Sequence, residues 1–170
     1  MPLSRIERAR RVCHRALFIL NYMIMETIET HTSEETREFA RQMGRKVQPG
    51  TVIALVGDLG AGKTVFAKGF AEGLGITSPV SSPTFTIVRG YEEGRLPLYH
   101  FDVYRIGDIS EMDETGYEDC FYGEGVSLVE WADAVDEIMP PDTVWVTIEK
   151  DPAKGFDYRK VTVRDEHSGH

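Results

Sequence analysis

The chain has 170 residues, 41% of them hydrophobic and 28% charged, a length and balance that fit one globular domain able to bury most of its apolar surface. The formal net charge of -9 is uneven: residues 1–24 carry five arginines and one glutamate, whereas Asp102 to Asp142 holds thirteen carboxylates against the single basic residue Arg105. That acidic stretch argues against a face gripping nucleic acid through its phosphates, and the distant pair Cys13 and Cys120 suggests neither a disulfide framework nor a zinc site.

In chain order, the basic segment "RIERARRVCHR" and the apolar run "ALFILNYMIM" mimic a secretory signal, yet "ETIETHTSEE" offers no small-residue cleavage site and the run is too short to span a bilayer. Residues 1–24 are therefore expected to form a disordered or non-native extension, with translation starting at Met23 or Met25. Residues 25–170 are expected to form the working domain, in a reducing cytoplasm without membrane contact. "HTSEETREFARQMGRKV" predicts a helix, capped by Thr32 with Glu35 completing a capping box and "QPG" ending it. "TVIALV", short and β-branched, predicts a buried strand, and "TVFAKGFAEGLG" predicts a helix with Phe66, Phe70 and Leu74 on one face and Gly75 past its end. Further strands are expected at "TFTIVRG", "LPLYHFDVY", "VSLVEW", "TVWVTIEK" and "YRKVTVR", and short helices near "DISEMDETGY" and "ADAVDEIM". "DPAKGFD" reads as a hairpin turn and nothing more. The sum is an α/β chain: a single three-layer domain of the P-loop NTPase type with a mixed parallel and antiparallel sheet.

Between the first predicted strand and the helix after it lies "GDLGAGKT", in which Gly57, Gly62, Lys63 and Thr64 match G-x-x-x-x-G-K-[ST] in the strand-loop-helix context that pattern requires. Glycines let successive N–H groups turn toward an anion, and the helix that follows adds its positive end. The cradle runs through Gly57, Asp58, Leu59, Gly60, Ala61, Gly62, Lys63, Thr64 and Val65. Lys63 is placed to reach the β- and γ-phosphates, and Thr64 to put its hydroxyl on Mg²⁺.

A triphosphate site also needs a carboxylate for the metal and a group to orient water. Asp102 and Glu130 each end an apolar strand, and carboxyl ends of strands converge on the ligand crevice of an open α/β sheet, so either could serve Mg²⁺ directly or through water. Ser82 and Thr84 flank Pro83 and could present hydroxyls to a γ-phosphate or its metal, as a switch does, or form a plain loop into a strand. Trp131 reads as a core aromatic or as crevice wall, and His100 as a packed strand residue or a catalytic one.

Taken together, "GDLGAGKT", "SPTFTIV", "YHFDVYRI", "GYEDCFYGEGVSLVEW" and "HTSEET", in this order and at these separations, resemble the bacterial TsaE (YjeE) family, from about Thr32 to Arg164. The resemblance implies a small ATPase, with ATP and Mg²⁺, required for making threonylcarbamoyladenosine in tRNA. It implies that Lys63 and Thr64 bind phosphate and Mg²⁺, that Glu130 is the second protein ligand of the metal, and that Asp102 is an essential acid of the site. Ser82 and Thr84 match the family's switch-like loop, Thr36 sits where an N-terminal segment approaches the adenine, and Arg159 matches a nucleotide-contacting arginine near the C-terminus. Two departures are visible: Val65 replaces a common second threonine, and "VEWAD" lacks the proline that often follows the tryptophan. The implied partners are a TsaD–TsaB heterodimer, with TsaC in the same pathway and tRNA touched only through them.

No arginine finger is evident in "DISEMDETGYEDCFYGEGVSLVEW", so hydrolysis by the chain alone is expected to be slow. The rivals are a module that binds ATP only to change its docking surface and a small-molecule kinase. The kinase would call for several cations, whereas Arg105 stands alone in its acidic stretch. No N-K-x-D motif for reading guanine occurs.

Overall fold

The computed structural model describes residues 25–165; the extension expected over residues 1–24 lies outside the described residues. A seven-stranded sheet runs through the molecule in the order β1-β7-β6-β2-β5-β4-β3. Its strands are β1 (Glu26–Thr30), β2 (Val52–Val56), β3 (Val88–Tyr91), β4 (Leu98–Asp102), β5 (Val126–Glu130), β6 (Val144–Lys150) and β7 (Arg159–Asp165). The four central strands β6, β2, β5 and β4 are parallel, while β7 and β1 on one flank and β3 on the other are antiparallel additions. The mixed sheet expected from the sequence is thus present.

Period-two alternation divides the core. Ile53 and Leu55 of β2 join Leu98, Leu128, Val146 and Ile148 on one face, under α1 (Ser33–Lys46) and α2 (Lys63–Gly73). Val52 and Ala54 join Phe101 and Val129 on the other, covered by α3 (Tyr117–Phe121) and by 3₁₀ turns over Ile109–Thr115 and Ala132–Ile138. Both faces of β2 are therefore dry, which explains its unbroken apolar run.

Helix α1 starts as its sequence predicts. The Thr32 hydroxyl accepts from the Glu35 N–H at 3.1 Å, and the Glu35 carboxylate reaches back one residue further than expected, to the His31 N–H at 2.7 Å. Helix α2 ends in a Schellman turn: Gly75, at φ 84°, donates to the Glu72 carbonyl, and Ile76 donates to Ala71. The two helices cross closely because Gly44, Gly69 and Gly73 lie at the crossing, each with a backbone carbonyl of the other helix where a side chain would begin. Arg37 and Arg41 of α1 both grip Glu72 of α2.

Two expectations need correction. Strand β1 was not foreseen: "ETIET" has one apolar residue in five, because an edge strand buries little and is held by its ladder to β7 and by polar ties, Lys154 and Tyr158 to Glu29 and Thr30 to Thr36. The strand expected at "TFTIVRG" begins only at Val88; Thr84 to Thr86 form a turn in which the N–H groups of Thr86 and Ile87 both donate to the Pro83 carbonyl. The short helix expected at "ADAVDEIM" is present, as 3₁₀ turns over Ala132–Ile138 with a break at Val135.

The glycine crossing is testable. Gly69→Ala adds helix propensity worth about 1 kcal/mol in an exposed helix. Here the new methyl would sit far inside contact distance of the Arg37 carbonyl oxygen. Overpacking of roughly 1–3 kcal/mol outweighs that gain. The urea midpoint is expected to fall; a midpoint equal to or above that of the parent protein would refute the close crossing.

Candidate nucleotide-binding site

At the carboxyl ends of β2, β4 and β5 a cleft of about 480 Å³ opens, and nearly every residue singled out from the sequence lines it. Leu59, Gly60, Ala61, Gly62, Lys63, Thr64 and Val65 form its floor, Ser82, Thr84, Asp102 and Glu130 one wall, and Thr36 and Arg159 the remainder. Gly57 and Asp58 stand behind the floor. A side chain on Gly57 would come within 2.5 Å of the Ile148 carbonyl oxygen, so only glycine lets the loop leave β2 this close to β6.

The loop's polar groups are sorted by cations. Lys63 Nζ donates to the carbonyls of Gly57 (2.6 Å) and Asp58 (3.0 Å), Lys150 Nζ to that of Leu59 (3.0 Å), and Arg159 to those of Ala61 (2.7 Å) and Gly60 (3.4 Å). Each planar peptide sends its N–H opposite to its carbonyl, so the pull of Lys150 on Leu59 and of Arg159 on Ala61 turns the N–H groups of Gly60 and Gly62 away from those cations. Gly62 occupies the N-cap of α2 at φ 106° and supplies no side-chain cap. The first-turn N–H groups of Lys63, Thr64 and Val65, which line the cleft, have no intrahelical acceptor. Uncapped N–H groups, the positive helix end and one ammonium are together chemically suited to an anion.

Lys63 is almost wholly buried, and its ammonium lies 3.8 Å from the centre of the Trp131 ring. Burial pushes its pKa below the ordinary lysine value, an effect opposed by the nearby charges of Glu130, Asp102, Asp133 and Asp58. Trp131 answers both readings, packing against the core cluster of Phe101 and Val129 and lining the cleft, and Tyr104 lies against it with ring centres 4.8 Å apart.

Asp102 and Glu130 are partners in the β4–β5 register and are 3% and 2% exposed, so two carboxylates stand side by side out of water. The hydroxyls of Ser82 and Thr84 both donate to Asp102 Oδ2, and the Tyr104 N–H donates to Oδ1 at 3.0 Å. Glu130 Oε1 is 2.9 Å from Nε2 of the fully buried His100. Among the described residues no group of three or more His, Cys, Asp or Glu side chains forms a metal cage. What the cleft does offer is the Thr64 hydroxyl and carboxylate oxygens beside an anion cradle, a hard-oxygen donor set suited to Mg²⁺ that keeps waters and shares phosphate oxygens.

At the other end of the cleft, the Thr36 hydroxyl is tied to that of Thr30 at 2.7 Å, and Arg159 is occupied by loop carbonyls. Sequence reasoning passed over Ser33, Tyr104 and Asp157, which also line the cleft. Asp157 belongs to "DPAKGFD", a hairpin connection as read, but one that reaches the site. Tyr104, two residues past Asp102, carried a usable signal in its spacing; Asp157 carried none.

A phosphate loop between a central parallel strand and a helix, faced by two strand-end carboxylates, defines a phosphate-loop α/β protein. The model of the family "Threonylcarbamoyl adenosine biosynthesis protein TsaE" matches residues 30–161, and the chain belongs to that family. The tRNA threonylcarbamoyladenosine biosynthesis protein TsaE of Bacillus subtilis is 50% identical over 133 residues, 78% of this chain and 81% of that protein. Its namesake in Treponema pallidum is 40% identical over 119 residues, 70% of this chain and 87% of that protein. The crystal structure of Bacillus subtilis YdiB superposes with a TM-score of 0.72 at 42% identity, covering 84% of this chain and 86% of that one. Proteins of this family serve the biosynthesis of threonylcarbamoyladenosine in tRNA.

The buried ammonium gives a pH test. An anionic ligand favours charged Lys63, whereas burial favours the neutral form, so affinity is present while the ammonium is protonated and falls as pH rises through its lowered pKa. Nucleotide affinity measured by calorimetry is expected to decline on the alkaline side beginning below pH 10.5, the ordinary lysine value, with proton uptake on binding. Affinity that stays flat up to that pH would contradict the assignment.

Proposed function

We propose that this chain is a Mg²⁺-dependent ATPase, slow alone, that acts in the cytoplasm on a TsaD–TsaB complex and sustains its cycle of tRNA modification. The observation that carries the reading is the meeting, in one cleft, of an uncapped helix start, a buried ammonium and two buried carboxylates. The loop N–H groups and Lys63 bind the polyphosphate, with the ammonium exchanging the carbonyls of Gly57 and Asp58 for phosphate oxygens. Thr64 and Glu130 would hold Mg²⁺, which would supply charge neutralisation and orientation for the phosphates. Asp102, clamped by three donors, is in place to orient the attacking water, and the Ser82 and Thr84 hydroxyls fix its direction. Trp131 and Tyr104 screen the reacting end from solvent.

Slow turnover follows from the cation inventory. Arg159 is the arginine that lines the cleft among the described residues, and its guanidinium is committed to loop carbonyls; Arg105 lies over the exposed Phe85 ring, 4.2 Å from its centre. Neither is placed to neutralise charge growing in the transition state, so a partner must supply that group or reshape the cleft. The pathway role of the relatives supports TsaD–TsaB as that partner. Among the described residues no helix is long and apolar enough to cross a membrane.

Substitutions separate the roles. Lys63→Ala is expected to weaken ATP binding roughly ten- to hundredfold, from the loss of a charged hydrogen bond worth about 1.5–3 kcal/mol. Asp102→Asn is expected to slow the chemical step by about 10²–10⁴-fold with a smaller effect on affinity, and Glu130→Gln likewise to impair hydrolysis more than binding. Full turnover in both carboxamide variants would overturn the assignment of the carboxylates.

A second experiment tests the partner. Adding purified TsaD–TsaB complex should raise steady-state ATP turnover, and an unchanged rate would refute the proposed activation. No phosphate release in a single turnover, with or without that complex, would instead make the chain a nucleotide-gated docking module.

A further inference from the structure

His100 is the one fully buried ionisable side chain among the described residues, and the ATPase scheme leaves it without a task. It sits on β4 two residues before Asp102, on the sheet face that carries Leu98, and its register partner on β5 is Leu128, two residues before Glu130. Its Nε2 lies 2.9 Å from Glu130 Oε1, and its Nδ1 has no hydrogen-bond partner. A carboxylate can only accept, so the proton of the neutral ring belongs on Nε2, and the bare position is the lone pair of Nδ1. Leaving an acceptor unpaired in an apolar core has a cost, and the ring tolerates it while keeping its donor on Glu130.

The two carboxylates are held independently. Asp102 has Ser82, Thr84 and the Tyr104 N–H, all near the mouth of the cleft; His100 approaches Glu130 from inside the core. A hydrogen bond formed away from water is stronger and more directional than a solvated one, so this contact limits the directions the Glu130 carboxylate can take.

We propose that His100 is a positioning residue whose Nε2–H clamps one oxygen of Glu130 so that the carboxylate is presented to a divalent cation at the polyphosphate end of the cleft. The inference rests on the reading of Glu130 as the Mg²⁺ carboxylate. It assigns His100 no contact with nucleotide, water or metal. Hydrogen-bonded supports of metal-binding carboxylates typically contribute 10–100-fold in metal affinity or activity.

The test reads metal-dependent nucleotide binding rather than turnover. ADP affinity is measured by calorimetry with Mg²⁺ and with EDTA, for the parent chain, His100→Leu and His100→Gln. The parent is expected to bind more tightly with Mg²⁺. His100→Leu is expected to lose about 10–100-fold of that enhancement while its EDTA affinity stays near that of the parent. His100→Gln, which restores an N–H donor, is expected to recover most of it.

A His100→Leu protein that keeps the full Mg²⁺ enhancement overturns the inference and leaves the ATPase reading standing. A parent protein with no Mg²⁺ enhancement removes Glu130 as metal ligand, and the inference falls with it. If the leucine variant does not fold, the unaltered protein still decides. Long-range proton-nitrogen NMR is expected to show His100 as the Nε2–H tautomer, with that nitrogen shifting when Mg²⁺ is added to the ADP complex. An Nδ1–H tautomer, or an Nε2 signal indifferent to Mg²⁺, overturns it.

Discussion

Two carboxylates at paired positions on neighbouring parallel strands, both withdrawn from water, are the constraint around which the site is arranged. Strands lie about 4.8 Å apart. Like charges near that separation repel by roughly 3 kcal/mol at an effective dielectric constant of 20. The surroundings answer this repulsion with donors on Asp102, an imidazole on Glu130 and the Lys63 ammonium. The dependence is mutual, because burial disfavours the charge on Lys63 and the carboxylates help to retain it. Under the proposed function Lys63 would turn to a phosphate, and the pair would then call for a second cation, the position the proposed Mg²⁺ would take.

The antiparallel flank of the sheet has its reason in the same place. Lys150 at the end of β6 and Arg159 at the start of β7 are register partners, and both hold carbonyls of the phosphate loop. Ile148 of β6 presents the carbonyl against which Gly57 packs. A hairpin appended to the parallel core thus works as a clamp that fixes which way the loop peptides face. The clamp engages Arg159, the guanidinium that lines the cleft, with loop carbonyls, and under the proposed function this leaves a partner to answer the charge of the transition state.

The central machinery was legible because its elements are locally over-determined. "TVIALV" is dry on both faces, the glycine pattern has few other uses between a strand and a helix, and Asp102 and Glu130 are polar residues abruptly ending apolar runs. What was illegible depends on distant partners. Strand β1 is held by β7 and by the Tyr158–Glu29 tie, both across more than a hundred residues, and by a local Thr30–Thr36 hydroxyl pair that carries no hydrophobic signal. The part of Asp157 follows from where the hairpin folds, and the contact of His100 with Glu130 from the register of β4 on β5. Their place around Pro83 singled out Ser82 and Thr84, but only the fold shows that they act together on a single carboxylate oxygen.

Backbone strain falls beside the two acids. Among the described residues, Ile87 and Trp131 are the non-glycine positions with positive φ, at 66° and 62°. Such a conformation costs of order 1–3 kcal/mol, and β-branched Ile87 tolerates it poorly. Ile87 accepts from the Asp102 N–H at 2.8 Å while donating to Pro83 at 2.8 Å, so its twist joins the Ser82–Thr84 turn to the strand that ends in Asp102. Trp131 follows Glu130 directly, and its twist places the indole over Lys63 and against Tyr104. Cation–π contact of about 0.5–2 kcal/mol and a ring pair of about 0.5–1.5 kcal/mol are of the size needed to offset that cost. A sheet that served only to pack would end these strands in relaxed turns. Strain at the residue that accepts the Asp102 backbone N–H, and at the residue next to Glu130, is what a site that must hold both acids in fixed directions requires.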